Sequence, residues 1–98
     1  MDEKTRGFIE SAMDKMIKEE IVGDVGWVPE EIPISSLAEL ALGYTIGMLR
    51  AGAWAVVQLA SPRGLSEARE EQEEKVIRAM IKRRLPEIMK KINKELNR

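Results

Sequence analysis

The pattern of hydrophobic and polar positions predicts an all-α protein built around one long apolar segment. Residues 35–60, SSLAELALGYTIGMLRAGAWAVVQLA, contain only two charged side chains, Glu39 and Arg50. Placed on a helix at about 100° per residue, the apolar side chains cover a wide arc and the polar side chains a narrow stripe. Other parts of the protein must pack against most sides of a helix with so wide an apolar arc. We therefore expect it to run through the middle of a bundle of three to four helices.

The same segment is long enough to raise the alternative of a membrane-spanning helix, which needs about 20 predominantly apolar residues. Arg50 lies near its middle, and an arginine at the bilayer centre costs roughly 2.5–3.5 kcal/mol. Charged residues follow Met1 directly, so no signal sequence is predicted. We therefore interpret residues 35–60 as a helix of a cytoplasmic protein that has no membrane partner.

Small residues recur at every fourth position of this helix, at Gly43, Gly47, Ala51 and Ala55. Each interior glycine costs about 1 kcal/mol of helix propensity relative to alanine. Close approach of another helix would offset that cost, because rows at this spacing pack into one another. The neighbouring helix belongs either to the same chain or to a second copy across a two-fold axis. Glycines that have no partner are the third interpretation.

The second-copy interpretation predicts an antiparallel homodimer. If Gly43 meets Gly47 of the second copy, Glu39 lies opposite Arg50 of that copy. Within one helix these two charges are eleven residues, or about 16 Å, apart and cannot pair. The alternative role of Glu39 is a capping box with Ser36 as the N-cap. The predicted dimer interface comprises Glu39, Gly43, Gly47, Arg50, Ala51 and Trp54.

Further helices are predicted on both sides within one helical domain, residues 1–98. Apolar spacing predicts a helix over about residues 3–22, ended by Gly23. Residues 23–34 hold two glycines and two prolines and are predicted as a loop, in which Trp27 is either a lid on the core or a binding anchor. Helices over about residues 66–84 and 86–97 follow, because Pro86 either kinks or restarts a helix.

Composition removes several classes of function. The chain has no cysteine and no histidine, so disulfides, the commonest metal ligand and the usual general base are absent. Ser36 and Ser66 flank predicted helices, where N-capping explains them. We therefore expect a non-enzymatic protein with no catalytic residue, cofactor or metal site. The 34% of charged residues and the lack of cysteine are also compatible with a thermophilic source.

Charge is distributed unevenly along the chain. Residues 1–61 carry 5 basic and 10 acidic side chains, whereas residues 62–98 carry 11 and 7. The basic C-terminal segment predicts phosphate contacts, although a pI near 5.6 and the lack of interleaved aromatic residues disfavour a nucleic-acid binder. The alternative is pairing with an acidic protein surface, and Arg84, on the apolar side of its helix, is predicted to be an interior ion-pair partner. The candidate nucleic-acid contacts are Lys82, Arg83, Arg84, Lys90, Lys91 and Lys94.

The acidic stretch at residues 67–74 suggests a divalent-metal site, because carboxylates one helical turn apart can share a hard cation. A solvated face is the alternative, since Glu71–Lys75 and Glu74–Arg78 are favourable pairs four residues apart. The leading functional hypothesis is a non-enzymatic helical homo-oligomer that serves as an interaction or assembly module and docks another protein. Nucleic-acid binding is the second hypothesis, and metal-dependent hydrolysis on the acidic helix is the third.

Overall fold

A computed structural model describes residues 1–97 of the chain. Three long helices and two single-turn helices occur, and no strand is present in this range. The elements are α1 (Glu3–Lys18), α2 (Val22–Val25), α3 (Val28–Glu31), α4 (Leu37–Ala60) and α5 (Glu67–Leu96). The all-α class is confirmed, and so is the central position of α4, which packs against α1, α2 and α5.

The core is built from rows of buried side chains that lie four residues apart on α1 and α4 and three or four residues apart on α5. Rows at this spacing form the ridges through which helices interdigitate. Burial of one isoleucine, leucine or methionine side chain contributes about 1.5–3 kcal/mol. The α1 row and its extension are Ile9, Met13, Ile17, Ile21 and Val25; the α4 row is Ala41, Thr45, Leu49, Ala53 and Val57; and α5 adds Ile77, Met80, Ile81, Ile88 and Ile92.

The N-termini of the three long helices are capped by side chains. Asp2 Oδ1 accepts the N–H of Thr5 at 2.7 Å, and this backbone hydrogen bond holds the pKa of Asp2 below its ordinary value. Ser36 caps α4 by accepting the N–H of Glu39 at 3.1 Å, as predicted. Ser66 caps α5 in the same way. Each such cap contributes about 1 kcal/mol.

The first predicted helix ends earlier than its apolar spacing indicated. It stops at Lys18 and not near Gly23, and the chain restarts as α2. The ammonium group of Lys91 on α5 donates to the carbonyl groups of Ile17 and Glu19, at the C-terminus of α1. These carbonyl groups lack intrahelical partners, so a cation from another helix satisfies them.

Glu95, one turn after Lys91, completes this junction. Its Oε1 atom accepts the backbone N–H groups of Ile21 at 2.8 Å and of Val22 at 2.9 Å. Glu95 is buried, and its Oε2 atom has no hydrogen-bond partner among the described residues. Lys91 and Glu95 together, which we call the α5 clamp, stabilise the break between α1 and α2.

The two predicted C-terminal helices form one continuous helix, α5, with Pro86 inside it. Proline removes the intrahelical donor to the carbonyl of Lys82, but both residues are exposed, so water can reach that carbonyl. Ile81 and Ile88 are buried on either side of Pro86. Because both belong to the same core, tertiary burial holds α5 together across the proline.

The predicted loop at residues 23–34 contains two helical turns and is only partly packed on the core. Val25 is buried, but Trp27 is 54% exposed and Ile32 is 51% exposed. The indole N–H of Trp27 donates to the carbonyl of Asp24 at 3.2 Å. Trp27 therefore does not act as a lid on the core within one chain.

Candidate self-association surface

One side of α4 carries a row of exposed small and apolar residues. We call Gly43, Gly47, Ala51, Ala55 and Leu59 the outer row; they are four residues apart and lie opposite the buried row of α4. An ideal Cβ atom placed on Gly43 or Gly47 meets no heavy atom within 4 Å. The interpretation that another helix of the same chain packs against these glycines is therefore wrong.

The expectation that α4 is covered on most sides is also wrong for a single chain. Leu59 is 83% exposed and Met48 is 44% exposed, and Tyr44 is exposed beside them. From residue 40 to residue 60 the only charged side chain is Arg50, in a chain that is 34% charged overall. Apart from Arg50, the exposed side chains of this stretch are uncharged, and large exposed apolar patches mark interaction sites.

Among the described residues, α4 is the one helix that is long and apolar enough to cross a membrane by length and composition. Only a minority of its apolar stretch is buried within the protomer. Core helices of soluble proteins pass the same test, so this property alone does not decide the environment of α4.

An ion-pair cluster lies on the α5 side of α4. Arg50 Nε donates to Glu74 at 2.7 Å and 3.0 Å, and the indole N–H of Trp54 donates to the same carboxylate at 3.1 Å. Arg78 lies 3.5 Å from Glu74, as the spacing predicted. Although partial burial raises the pKa of Glu74, these hydrogen bonds and charges outweigh it and hold the pKa below its ordinary value.

This cluster changes the interpretation of two predicted interface residues. Trp54 is half-buried against the core and turns toward Glu74, away from the outer row. Arg50 is exposed but already has Glu74 as a partner inside the chain. Its pairing with Glu39 of a second copy stays a prediction, and that pair would have to share Arg50 with Glu74. Glu74 itself links α5 to α4 and does not belong to a purely solvated face.

An apolar groove lies between α1 and the C-terminal end of α4. It encloses about 580 Å³, and its apolar lining includes Phe8, Ala12, Val56 and Leu59. Phe8 is 60% exposed. We call this feature the α1–α4 groove; it continues the outer row at Leu59 onto α1.

Two arginines of the basic segment of α5 pair with the acidic side of α1. Arg83 lies 2.6 Å from Glu10. Arg84 is buried and pairs with Glu10 and with Asp14, the latter at 3.1 Å. The predicted interior ion pair of Arg84 is thus confirmed. Burial disfavours the charged forms of Arg84 and Glu10, but the hydrogen bonds of Arg84 to Glu10 outweigh this effect. The pKa of Arg84 is therefore raised, and the pKa of Glu10 is lowered.

Three of the six candidate nucleic-acid contacts therefore have partners inside the chain: Arg83, Arg84 and Lys91 of the α5 clamp. The other three, Lys82, Lys90 and Lys94, are exposed. Nucleic-acid binding through this segment stays a prediction, with fewer free cations than the sequence indicated.

The acidic stretch at residues 67–74 is divided between different partners. Glu73 is buried, and its carboxylate lies 2.9 Å from the α-amino group of Met1. Glu74 belongs to the cluster with Arg50. Within residues 1–97 no three acidic side chains converge in a way that could hold a metal ion. The metal-hydrolase hypothesis gains no support from this arrangement.

Comparison of the chain with known protein families, with curated proteins and with solved structures finds no match. The candidate surface is therefore argued from its geometry alone. Sequence reasoning found the small residues of the outer row but missed Phe8, Tyr44, Met48 and Leu59 as surface residues. The every-fourth-residue spacing of the buried row was the signal that would have identified them.

Proposed function

We propose that this protein is a non-enzymatic helical module that associates with itself through the outer row of α4 and forms a homodimer. The observation that carries the proposal is an exposed, uncharged row in which Gly43 and Gly47 have open space where side chains would be. Tyr44 and Met48, beside this row, add exposed apolar surface. A second copy of α4 fits this row, since its own outer row is equally free of bulky side chains near the glycines.

Energetic considerations favour this proposal. The two glycines of the outer row, Gly43 and Gly47, cost α4 about 1 kcal/mol each relative to alanine, and an ideal Cβ at either position meets no atom that would indicate an offsetting contact. Apolar surface removed from water contributes about 25 cal/mol per Å². A stable dimer buries about 800 Å² on each partner, and a protomer surface of 6911 Å² accommodates an interface of that size.

The non-enzymatic part of the proposal is supported by the residues present. The chain has no histidine or cysteine, and its buried charged side chains have partners within the chain: Arg84 pairs with Glu10, Glu73 pairs with the α-amino group of Met1, and Glu95 accepts two backbone N–H groups. We expect the dimer to act in the cytoplasm as an assembly module, with a further protein as a second partner.

The experiment that tests self-association compares the molar mass of the wild-type protein with that of Gly47→Leu by light scattering over a range of concentrations. Leucine at position 47 has room within the protomer, so the variant should fold normally. At a close crossing of two helices the same side chain forces the backbones apart, an effect typically of about 1–3 kcal/mol. We expect at least about a fivefold weaker dimer, because 1.4 kcal/mol corresponds to a factor of ten.

Gly7→Leu is the matched control. Gly7 is also a helical glycine with no heavy atom within 4 Å of an ideal Cβ, but it lies on α1. The dimer should survive this substitution. A wild-type protein that stays monomeric at every concentration would contradict the proposal, and so would equal dimer affinities for Gly47→Leu and Gly7→Leu. A monomer that instead partitions onto lipid vesicles would assign the outer row to a membrane.

A further inference from the structure

One third of the chain carries acidic side chains and no basic ones. Several acidic residues elsewhere have arginine partners, as Glu10 has Arg84 and Glu74 has Arg50. Residues 19–49 contain no lysine or arginine, so their charge is not balanced within the segment, and a negative potential builds up over the surface that it forms. The six acidic residues of this segment are Glu19, Glu20, Asp24, Glu30, Glu31 and Glu39.

The fold brings part of this segment together around one small hollow, which we call the acidic depression. It lies where the end of α1 and the start of α2 face α4, and it encloses about 90 Å³. Its lining includes the acidic residues Glu19 and Asp24 and the α4 residues Tyr44 and Met48. Small-molecule pockets usually enclose about 300–1,000 Å³. The acidic depression is far smaller, and its size suits a single side chain of another protein.

The carboxylates in this lining have no basic partner inside the chain. Among the described residues, neither Glu19 nor Asp24 forms a salt bridge. Lys91 contacts Glu19 only through the backbone carbonyl. Tyr44 and Met48 are partly exposed next to these carboxylates. The depression therefore presents free negative charge and apolar surface in the same place.

An exposed tryptophan is anchored at the same place. The indole N–H of Trp27 donates to the backbone carbonyl of Asp24 at 3.2 Å, so the residue that lines the depression also holds this ring. The ring is nevertheless 54% exposed. Tryptophan is enriched among the residues that dominate binding energy at protein interfaces. Glu30 and Glu31, in the next helical turn, are exposed and extend the acidic surface.

We infer that the acidic depression binds an arginine or lysine side chain of a partner protein. Such a side chain has an apolar stem and a cationic head, so it matches both parts of the lining. Its head pairs with the carboxylates of Glu19 and Asp24, and a cation over the ring of Tyr44 is attracted to it. Charge complementarity of this kind selects the partner. The inference goes beyond the proposed self-association, because Glu19 and Asp24 lie outside the outer row.

A matched pair of fluorescent peptides tests the inference. One is a short amidated peptide of alternating arginine and leucine, and in the other every arginine is replaced by citrulline, which keeps the shape of the side chain and removes its charge. Fluorescence anisotropy of each peptide, titrated with the full chain, gives the two dissociation constants. We expect the arginine peptide to bind at least about tenfold more tightly. Equal dissociation constants would overturn the inference.

Asp24→Asn shows whether the peptide binds at the acidic depression or at acidic surface in general. The Asp24 carboxylate makes no hydrogen bond or salt bridge with a described residue, so this variant should fold normally. It should bind the arginine peptide at least about fivefold more weakly than the wild-type protein. Glu71→Gln removes an exposed carboxylate of α5 and is the control, which should bind unchanged. Equal affinities for the two variants would contradict the inference.

Tyr44→Ala tests the apolar part of the lining. It should weaken binding of the arginine peptide by about threefold, because the ring no longer attracts the cation. Phe8→Ala truncates an exposed aromatic side chain in the α1–α4 groove and should leave the affinity unchanged. A larger loss in Phe8→Ala would place the peptide in that groove and contradict the inference. A wild-type protein that is monomeric by light scattering but still distinguishes the two peptides would refute self-association and support this inference.

Discussion

Glu95→Ala should destabilise the protein far more than a surface substitution on the same helix, because it removes half of the α5 clamp. The Glu95 carboxylate accepts two backbone N–H groups, from Ile21 at 2.8 Å and from Val22 at 2.9 Å. Alanine leaves both donors without a partner, and Ile21 is buried. The perturbation is therefore an unsatisfied helix N-terminus in the interior.

The magnitude follows from the two bonds and one offsetting cost. Hydrogen bonds to a charged group contribute about 1.5–3 kcal/mol each. Against this, Oε2 of Glu95 is buried without a hydrogen-bond partner among residues 1–97, and the variant no longer bears that cost. We expect a net loss of about 2–4 kcal/mol, a large part of the 5–15 kcal/mol typical of a domain. Glu95→Gln keeps an acceptor oxygen, so it should lose about half as much.

Chemical denaturation measures this loss, and amide hydrogen exchange localises it. The amide protons of Ile21 and Val22 should lose protection in Glu95→Ala before the core of α4 does. Glu87→Ala, an exposed substitution on the same helix, is the control and should change stability by no more than about 0.5 kcal/mol. Equal stability and unchanged amide protection in Glu95→Ala would refute the role of the clamp.

Two further predictions concern the ion pairs. The pKa values of Glu10 and Glu74 are lowered in the folded protein, so the stability that they contribute is present above pH 4.5 and is lost as the pH falls through their folded pKa values. In Glu10→Gln the free energy of unfolding should therefore fall less steeply with decreasing pH than in the wild-type protein. An equal slope in the two proteins would contradict this. Arg84→Ala should cost about 1.5–3 kcal/mol because it removes the hydrogen bonds of a buried guanidinium to Glu10 and Asp14, although Glu10 keeps Arg83 as a partner. Lys82→Ala, on the exposed side, should cost at most about 0.5 kcal/mol, and comparable losses in thermal denaturation would show that Arg84 is not an interior partner.

Local patterns predicted the long helices well because their determinants are local. The start of α4 follows from Ser36, whose side chain accepts an N–H three residues later. The interior position of Arg84 follows from its place on the apolar side of α5. The end of α1 does not follow from local sequence, because Lys91 and Glu95 act on it from more than 70 residues away. Of the two effects predicted for Pro86, the restart does not occur for a related reason: residues on both sides of the proline are buried in the same core.

The exposure of α4 was misjudged because a helical wheel projects all residues of the helix onto one circle, whatever their position along the axis. Residues four apart advance by about 40° on an ideal helix. The buried row from Ala41 to Val57 therefore drifts by about 160° along α4, and on a wheel it resembles a wide apolar arc. At any one level only a narrow strip is buried, which leaves Met48 and Leu59 exposed.

The mass of the unmodified protein in solution tests most directly the proposal that a second copy of the chain covers the outer row of α4. Sedimentation equilibrium should give twice the chain mass of 11.1 kDa at micromolar concentration, with dissociation on dilution. A single species of 11.1 kDa at every concentration would contradict it.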